Sequence, residues 1–494
     1  MPLRPRRALL LGASAAVALG VGLASASTVP SVSDVPSLAA WLATHAHSSK
    51  AAATPASAIP AASPKAHCGP GSLPEGPVQG RVPSADYTSG RAAKGYLCNA
   101  VEVSHIGTTG GFKTFRYTDR TGRVCAFYDG TLLYPTSLAH DGDTGGVHVL
   151  DMSDPARPIE TDRLVTPAMD SPHESLALNP LRGLLAAGMG SPATAPGVVD
   201  VYDVSNDCRH PVLQSTTPLG ILGHESGFSP DGRTLWISTT AGPGVTAIDV
   251  SNPRLPSIVW HSFSYTFHGM SLNATGTRLY GADLGSDPGL TILDVSQVQR
   301  RVANPVVTTV SHLTWPSVSI PQNSIPVTIK GHKFLVEFDE YSKGTSTAPT
   351  SAVGAARMIN IDNEKKPFVT GNMRLQVNNP AARATDESSD PGAPYPVQGY
   401  AAHYCAVPRA TDPTIVACSF IVSGLRVFNI SDPYHPREVA YFNKPAPDTL
   451  PMKSGAFAMS APSFDLRNKS VWYADGDSGF YAVRLTNGAW PAGL

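Results

Sequence analysis

The stretch "PGVTAIDVSNPRLPSIV" (243–259) decides the fold, because the chain writes it several times over. The segments "GGVHVLDMSDPARPIE" (145–160), "GVVDVYDVSNDCRHPVL" (197–213), "PGLTILDVSQVQRRVANPVV" (288–307), "AARMINIDNEKKPFV" (355–369) and "SGLRVFNISDPYHPREV" (423–439) follow the same plan. Each has Gly or a small residue, four or five alternating apolar positions, an Asp or Asn, and a turn usually closed by Pro. The anchors Asp151, Asp203, Asp249, Asp294, Asn360 and Asn429 recur at intervals of 45 to 69 residues. A weaker copy, "SGFYAVRLTNG" (478–488), lacks the Asp-Pro turn. Alternation with period two is a strand signal, and a fixed long period marks a repeat architecture.

Upstream of most copies stands a second strand opened by a turn, as in "SPDGRTLWIS" (229–238), "NATGTRLYGA" (273–282) and "DLRNKSVWYAD" (465–475). Asp-Gly and Asn-x-x-Gly supply the positive φ that tight hairpins require. Each period therefore encodes four antiparallel strands in roughly 45 residues, the size of a propeller blade. Seven copies predict an all-β, seven-bladed propeller. The stretch "NAVEVSHIGTTG" (99–110) reads as an outer strand that completes the last blade beside residues 457–486, which would leave no long exposed sheet edge.

These segments resemble the LVIVD repeat, a β-propeller repeat of secreted bacterial and archaeal proteins, across most of residues 98–488. The resemblance implies the fold and brings no single agreed activity. The chain departs from the pattern in its fifth blade, where "KGTSTAPTSAVG" (343–354) and "NNPAARATDESSDPGAPYP" (378–396) are insertions.

The amino terminus carries Arg4, Arg6 and Arg7, an uncharged apolar run, and the small-x-small site Ala24-Ser25-Ala26. Residues 1–26 thus read as a secretory signal peptide, too short and too rich in Gly and Ala to span a membrane. Residues 27–66 are dominated by Ala, Ser and Pro and read as a disordered linker, leaving 67–494 for the propeller. Loss of the signal peptide moves the formal net charge from −1 to about −4. Such a chain has no electrostatic footprint for nucleic acid and no membrane span. An exported monomer with an extracellular protein or small-molecule ligand is expected. Six cysteines in an oxidising compartment allow three disulfides. Cys405 and Cys418 flank a Pro/Asp turn and can meet across one hairpin. Among the other four, the pairing of Cys68 with Cys98 is preferred.

The repeated Asp or Asn is read as a turn residue that accepts backbone N–H bonds. The histidines suggest more. His173, His224, His268 and His403 each lie 25 to 30 residues before an anchor, at the start of the innermost strand of blades two, three, four and six. In blade five that place is assigned to Trp315. "SPHESLAL" and "LGHESGFS" add Glu174 and Glu225 to two of the histidines. A structural reading has each imidazole hydrogen-bonding a neighbouring blade. A functional reading has them converge at the channel mouth as a site for a transition metal such as Cu, Zn or Fe, with Glu174 and Glu225 as ligands or orienting groups. Glu337 and Asp339 in "GHKFLVEFDEYSKG" (331–344) share one face of a strand and form a candidate acidic cluster in the channel. No Gly-x-Ser-x-Gly elbow, P-loop or dinucleotide fingerprint is present.

Two functions follow from these observations. One is a binding or scaffold propeller acting through its channel mouth and the long fifth-blade loops. The other is a metal-dependent enzyme, oxidase- or hydrolase-like, with a His-ring site. For the second, propeller oxidases of the selenium-binding/methanethiol oxidase group, with His-bound copper, are a fold-level analogy.

Overall fold

The computed structural model describes residues 59–130, 145–188, 197–221, 223–239, 242–341, 353–383, 399–445 and 456–494. The signal peptide, the linker up to residue 58, and most of both fifth-blade insertions lie outside the described residues.

The chain forms seven antiparallel sheets, numbered here as blades I to VII. Blade I is built from Thr114–Thr118, Val124–Asp129, Val147–Asp151 and Ile159–Leu164. Blade II comprises Ala177–Asn179, Leu184–Gly188, Val199–Asp203 and Val212–Thr217, and blade III Ser226–Phe228, Thr234–Ser238, Val245–Asp249 and Ser257–Ser262. Blade IV comprises Phe267–Leu272, Arg278–Asp283, Gly289–Asp294 and Thr308–Leu313. Blade V holds Ile320–Ile329, His332–Glu340, Ala356–Asn360 and Phe368–Met373. Blade VI holds Ala402–Ala406, Ile415–Phe420, Gly424–Asn429 and Arg437–Asn443. Blade VII holds Ser463–Asp465, Ser470–Asp475 and Gly479–Leu485, with Ala100–Ile106 as its outermost strand, antiparallel to Gly479–Leu485.

The six repeated segments supply the third strand of blades I to VI. Val245, Ala247 and Ile248 are all fully buried, although they point to both faces of their sheet. A blade is covered by a neighbour on each side, so its middle strands are apolar on both faces while its outer strand meets water. In agreement, every residue of Ser257–Ser262 is exposed or half-buried. The anchors end these third strands and act as turn residues. Asp151, Asp203, Asp249 and Asp294 accept the backbone N–H of Ser153, Ser205, Ser251 and Ser296 at 2.9, 2.8, 2.7 and 2.9 Å. Asn360 and Asn429 do the same for Asp362 and Ser431 at 3.0 Å each.

Two features depart from the sequence reading. Blade VI has a fifth strand, Tyr96–Cys98, on its outer edge. The last residues of the expected linker are also ordered: Ser63 donates through N to Arg374 O at 2.7 Å, and Pro64 O accepts from Glu438 N at 3.0 Å. Composition failed here because the backbone of 63–66 is tied to blades V and VI, with Ala66 packed against their apolar core. Three disulfides are formed, Cys68–Cys98, Cys125–Cys208 and Cys405–Cys418. The last joins directly opposed residues of blade VI. Among the described residues no helix is long and apolar enough to cross a membrane.

Candidate metal centre

The first strands of the blades face one another, so residues at their starts converge on the ring axis. His224 stands just before Ser226–Phe228, His268 lies within Phe267–Leu272, and His403 lies within Ala402–Ala406. His268 and His403 fall at irregularities in their strands' pairing, between Phe267 and Met270 and between Ala402 and Cys405. A bulge of this kind re-aims a side chain that regular pleating would send elsewhere. His173 opens the short 3-10 turn His173–Ser175 with φ +50°. That left-handed conformation is unfavourable for a residue with a Cβ, and it places the ring beside that of His224, centroids 4.7 Å apart.

All four predicted histidines and Glu174 meet. Glu174 Oε2 lies 3.0 Å from His224 Nε2 and 3.2 Å from His268 Nε2, and those two nitrogens are 2.9 Å apart. Glu174 Oε1 lies 3.2 Å from His403 Nε2. Every member is at most 6 % exposed. Glu340 completes the group, with Oε2 3.1 Å from His403 Nε2 and Oε1 3.5 Å from His268 Nδ1.

The other ring nitrogens are held by backbone. His268 Nδ1 is 3.1 Å from Pro321 O and His403 Nδ1 is 2.7 Å from Met459 O. A carbonyl can only accept, so each Nδ1 carries the proton and each Nε2 points into the centre. This arrangement orients imidazoles that ligate metals. His173 Nδ1, Glu174 Oε2 and His403 Nε2 are buried and make no hydrogen bond within normal geometric limits. Two overlapping sets, His173–Glu174–His224 and Glu174–Glu340–His403, each present ligand atoms within 4.8 Å of one another.

Burial and charge pull against each other here. Burial alone would lower His268 and His403, but the carboxylates of Glu174 and Glu340 outweigh it and raise both to about 9. Burial, reinforced by the His224 ring, holds His173 well below its ordinary value. Burial pushes the Glu174 carboxyl up, yet His268 and His224 overcome it and hold the group well below the usual carboxylate range. Glu340 is raised by burial in spite of His268 and His403.

Not every candidate joins. Glu225 Oε1 takes Lys113 Nζ at 2.9 Å and Asn323 Nδ2 at 2.6 Å, so this carboxylate is committed to a cation from blade I. Lys113 Nζ also sits 3.6 Å above the Tyr404 ring. Glu337 and Asp339 are buried but do not reach the centre; both pair with Arg357, Asp339 at 2.9 Å, and Asp339 also accepts from Trp315 Nε1 at 3.0 Å. Alternation along His332–Glu340 explains this: residues 337 and 339 share one face, and Glu340 takes the other. Trp315 is therefore not the blade V equivalent of the histidines. That place belongs to Gln322, at the pairing irregularity between Pro321 and Asn323, where it donates to Tyr404 Oη at 2.8 Å. The serines of the two His-Glu-Ser triplets stitch blades together, with Ser226 Oγ donating to Ser175 O.

Sequence reasoning missed Glu340, Lys113, Tyr404 and Gln322. Glu340 stood in an acidic run whose register was visible, whereas Lys113 lies outside every repeat copy. It is placed by Asp129, whose carboxylate accepts from Phe112 N and Lys113 N at 2.8 Å each. Gly111 makes room for that carboxylate, since a Cβ there would meet Asp129 Oδ2 at 2.0 Å.

No family model and no curated protein matches the chain. Among solved structures it is similar to hydrazine synthase of Kuenenia stuttgartiensis, at 12% identity over 78% of this chain and 97% of that one, TM-score 0.50. It also resembles the periplasmic gluconolactonase of Pseudomonas aeruginosa, at 15% identity over 67% and 85% of the two chains, TM-score 0.47. At 12% identity the likeness to hydrazine synthase speaks for the fold and for nothing finer.

Proposed function

We propose that the protein is an exported, metal-dependent enzyme whose site lies on the propeller axis. The observation that carries this reading is the triangle of Glu174 Oε2, His224 Nε2 and His268 Nε2, with edges of 3.0, 3.2 and 2.9 Å. Ligands bound at about 2.1 Å are about 3.0 Å apart on an octahedral face and about 3.4 Å apart in a tetrahedron. The three donors thus fit a common ion with little rearrangement. Two imidazoles and one carboxylate with open positions suit non-haem iron, and the same donor types suit zinc.

Glu174, His224 and His268 would hold the ion, with His173 close enough to add a fourth ligand. A bound divalent ion supplies Lewis acidity and a water that ionises near neutral pH. The chain's own residues do the rest. Pro321 O and Met459 O fix the tautomers of His268 and His403. Lys113 and Asn323 immobilise Glu225 beside the centre. The three disulfides fit an extracellular protein.

Metal analysis of protein secreted by its native host tests the proposal. At least one transition-metal ion per chain is expected, lost in His224→Ala/His268→Ala while circular dichroism is unchanged. Metal-free native protein that takes up neither Zn²⁺ nor Fe²⁺ would overturn it and leave the binding or scaffold role, which requires no metal.

A further inference from the structure

We infer that the centre is built for two divalent ions bridged by Glu174, the second held by Glu340 and His403. This rests on the metal-dependent reading above and deepens it. The two oxygens of Glu174 face different partners: Oε2 faces His224 and His268, and Oε1 faces His403 at 3.2 Å. Glu340 Oε2 lies 3.1 Å from the same His403 nitrogen, so a second donor set forms on the far side of the shared carboxylate. The ligand atoms of Glu174, Glu340 and His403 lie within 4.8 Å of one another, and apart from Glu174 this set shares no residue with His173–Glu174–His224.

His403 is prepared for this role independently of the first set. Its Nδ1–H donates to Met459 O, and its Nε2 is fully buried without a hydrogen bond. A carboxylate that spans two ions holds them at the separation found in two-metal sites, about 3.5–4 Å.

Charge then indicates the ligand class. Glu174, Glu225 and Glu340 against Lys113 leave a formal net −2 when the imidazoles are neutral. One divalent ion brings the centre to neutrality, and two bring it to +2. The two-ion form therefore demands anionic company in a buried place. A bridging hydroxide answers part of the demand and a small oxyanion the remainder, which makes a small oxyanion, or a substrate carrying one, the class this centre would take.

The test uses the mature full chain, stripped with a chelator and reloaded with Zn²⁺, with the bound metal counted after gel filtration. Two ions per chain are expected in the wild type and one in both Glu340→Gln and His403→Ala. Mn²⁺ at two equivalents should give an exchange-coupled electron paramagnetic resonance signal, and inorganic phosphate should bind at least tenfold more tightly to the two-ion form than to the one-ion variants. A wild type that stops at one ion, with an uncoupled Mn²⁺ signal, overturns the bridged pair and leaves the first site standing. A wild type that binds none overturns both. Should the variants fail to fold, the Mn²⁺ signal of the wild type decides alone.

Discussion

Replacing Lys113 by Met isolates the buried charge pair beside the centre. Lys113 Nζ and Glu225 Oε1 are 2.9 Å apart, with side chains 7% and 0% exposed. Met preserves most of the aliphatic stem and removes the ammonium. Glu225 is then left with Asn323 alone at Oε1 and with no hydrogen-bond partner at Oε2. Breaking a buried pair from one side costs about 3–5 kcal/mol, because the remaining charge stays desolvated, whereas removing both charges together is close to neutral. Lys113→Met should therefore lower stability by about 3–5 kcal/mol. Glu225→Gln should lower it by somewhat less, since the Tyr404 ring still faces the ammonium. The double variant should lose only about 1–2 kcal/mol, which leaves a coupling of at least about 2 kcal/mol. Guanidinium unfolding of the chelated protein with its disulfides intact, under conditions where refolding is complete, measures all four corners of the cycle. If the single variants each lose under about 1 kcal/mol, or if the double loss equals their sum, the pair is not the isolated, desolvated unit described here.

In metal-free protein, burial opposes the charged forms of His268 and His403, but Glu174 and Glu340 hold both at about 9 against an ordinary 6.5. A raised value stabilises the fold below the unfolded value and loses that contribution as pH rises through the folded one, so Tm should fall between about pH 7 and 9.5, and His268→Asn/His403→Asn should flatten the profile. Opening Cys125–Cys208 (separation 83) should destabilise by about 4.6 kcal/mol, against about 3 kcal/mol for Cys405–Cys418 (separation 13), if loop entropy governs; equal losses on double Ser substitution would contradict that account. Asp249→Ala removes the cap on Ser251 N and the 2.9 Å pair with Arg301, and should cost about 1–2 kcal/mol by chemical denaturation. Gly269→Ala would set a Cβ 2.0 Å from Glu225 Oε2 and 2.5 Å from Gln322 O, displacing the neighbouring His268; Zn²⁺ affinity unchanged from wild type would refute that reasoning.

The propeller was legible because its signal repeats: an Asp or Asn anchor at the end of six strands is a turn requirement written six times. The histidines were legible for the same reason, since equivalent positions in equivalent blades point to one axis. Legibility failed where the repeat is broken. Blade V was misaligned at Trp315 because its inner strand, Ile320–Ile329, is longer than the others and places Gln322 where a histidine stands elsewhere. Glu337 and Asp339 were grouped correctly by alternation, but the sequence could not show that Arg357, 20 residues downstream of Glu337, takes both carboxylates. Glu340 belongs to the same run and was passed over, because only the three-dimensional position of its strand's end decides which face looks inward. Lys113 enters by way of a buried Asp and a Gly from outside the repeat, a combination with no periodic signature.

The convergence of Glu174, His224, His268, Glu340 and His403 spans five consecutive blades, and no two of these residues come from the same one. Blades II to IV already bring Glu174, His224 and His268 together, whereas the Glu340–His403 half of the centre waits for blades V and VI. A ligand that engages all five residues recognises only a chain with blades II to VI in place, so its binding energy would favour that assembled state over every shorter or opened form.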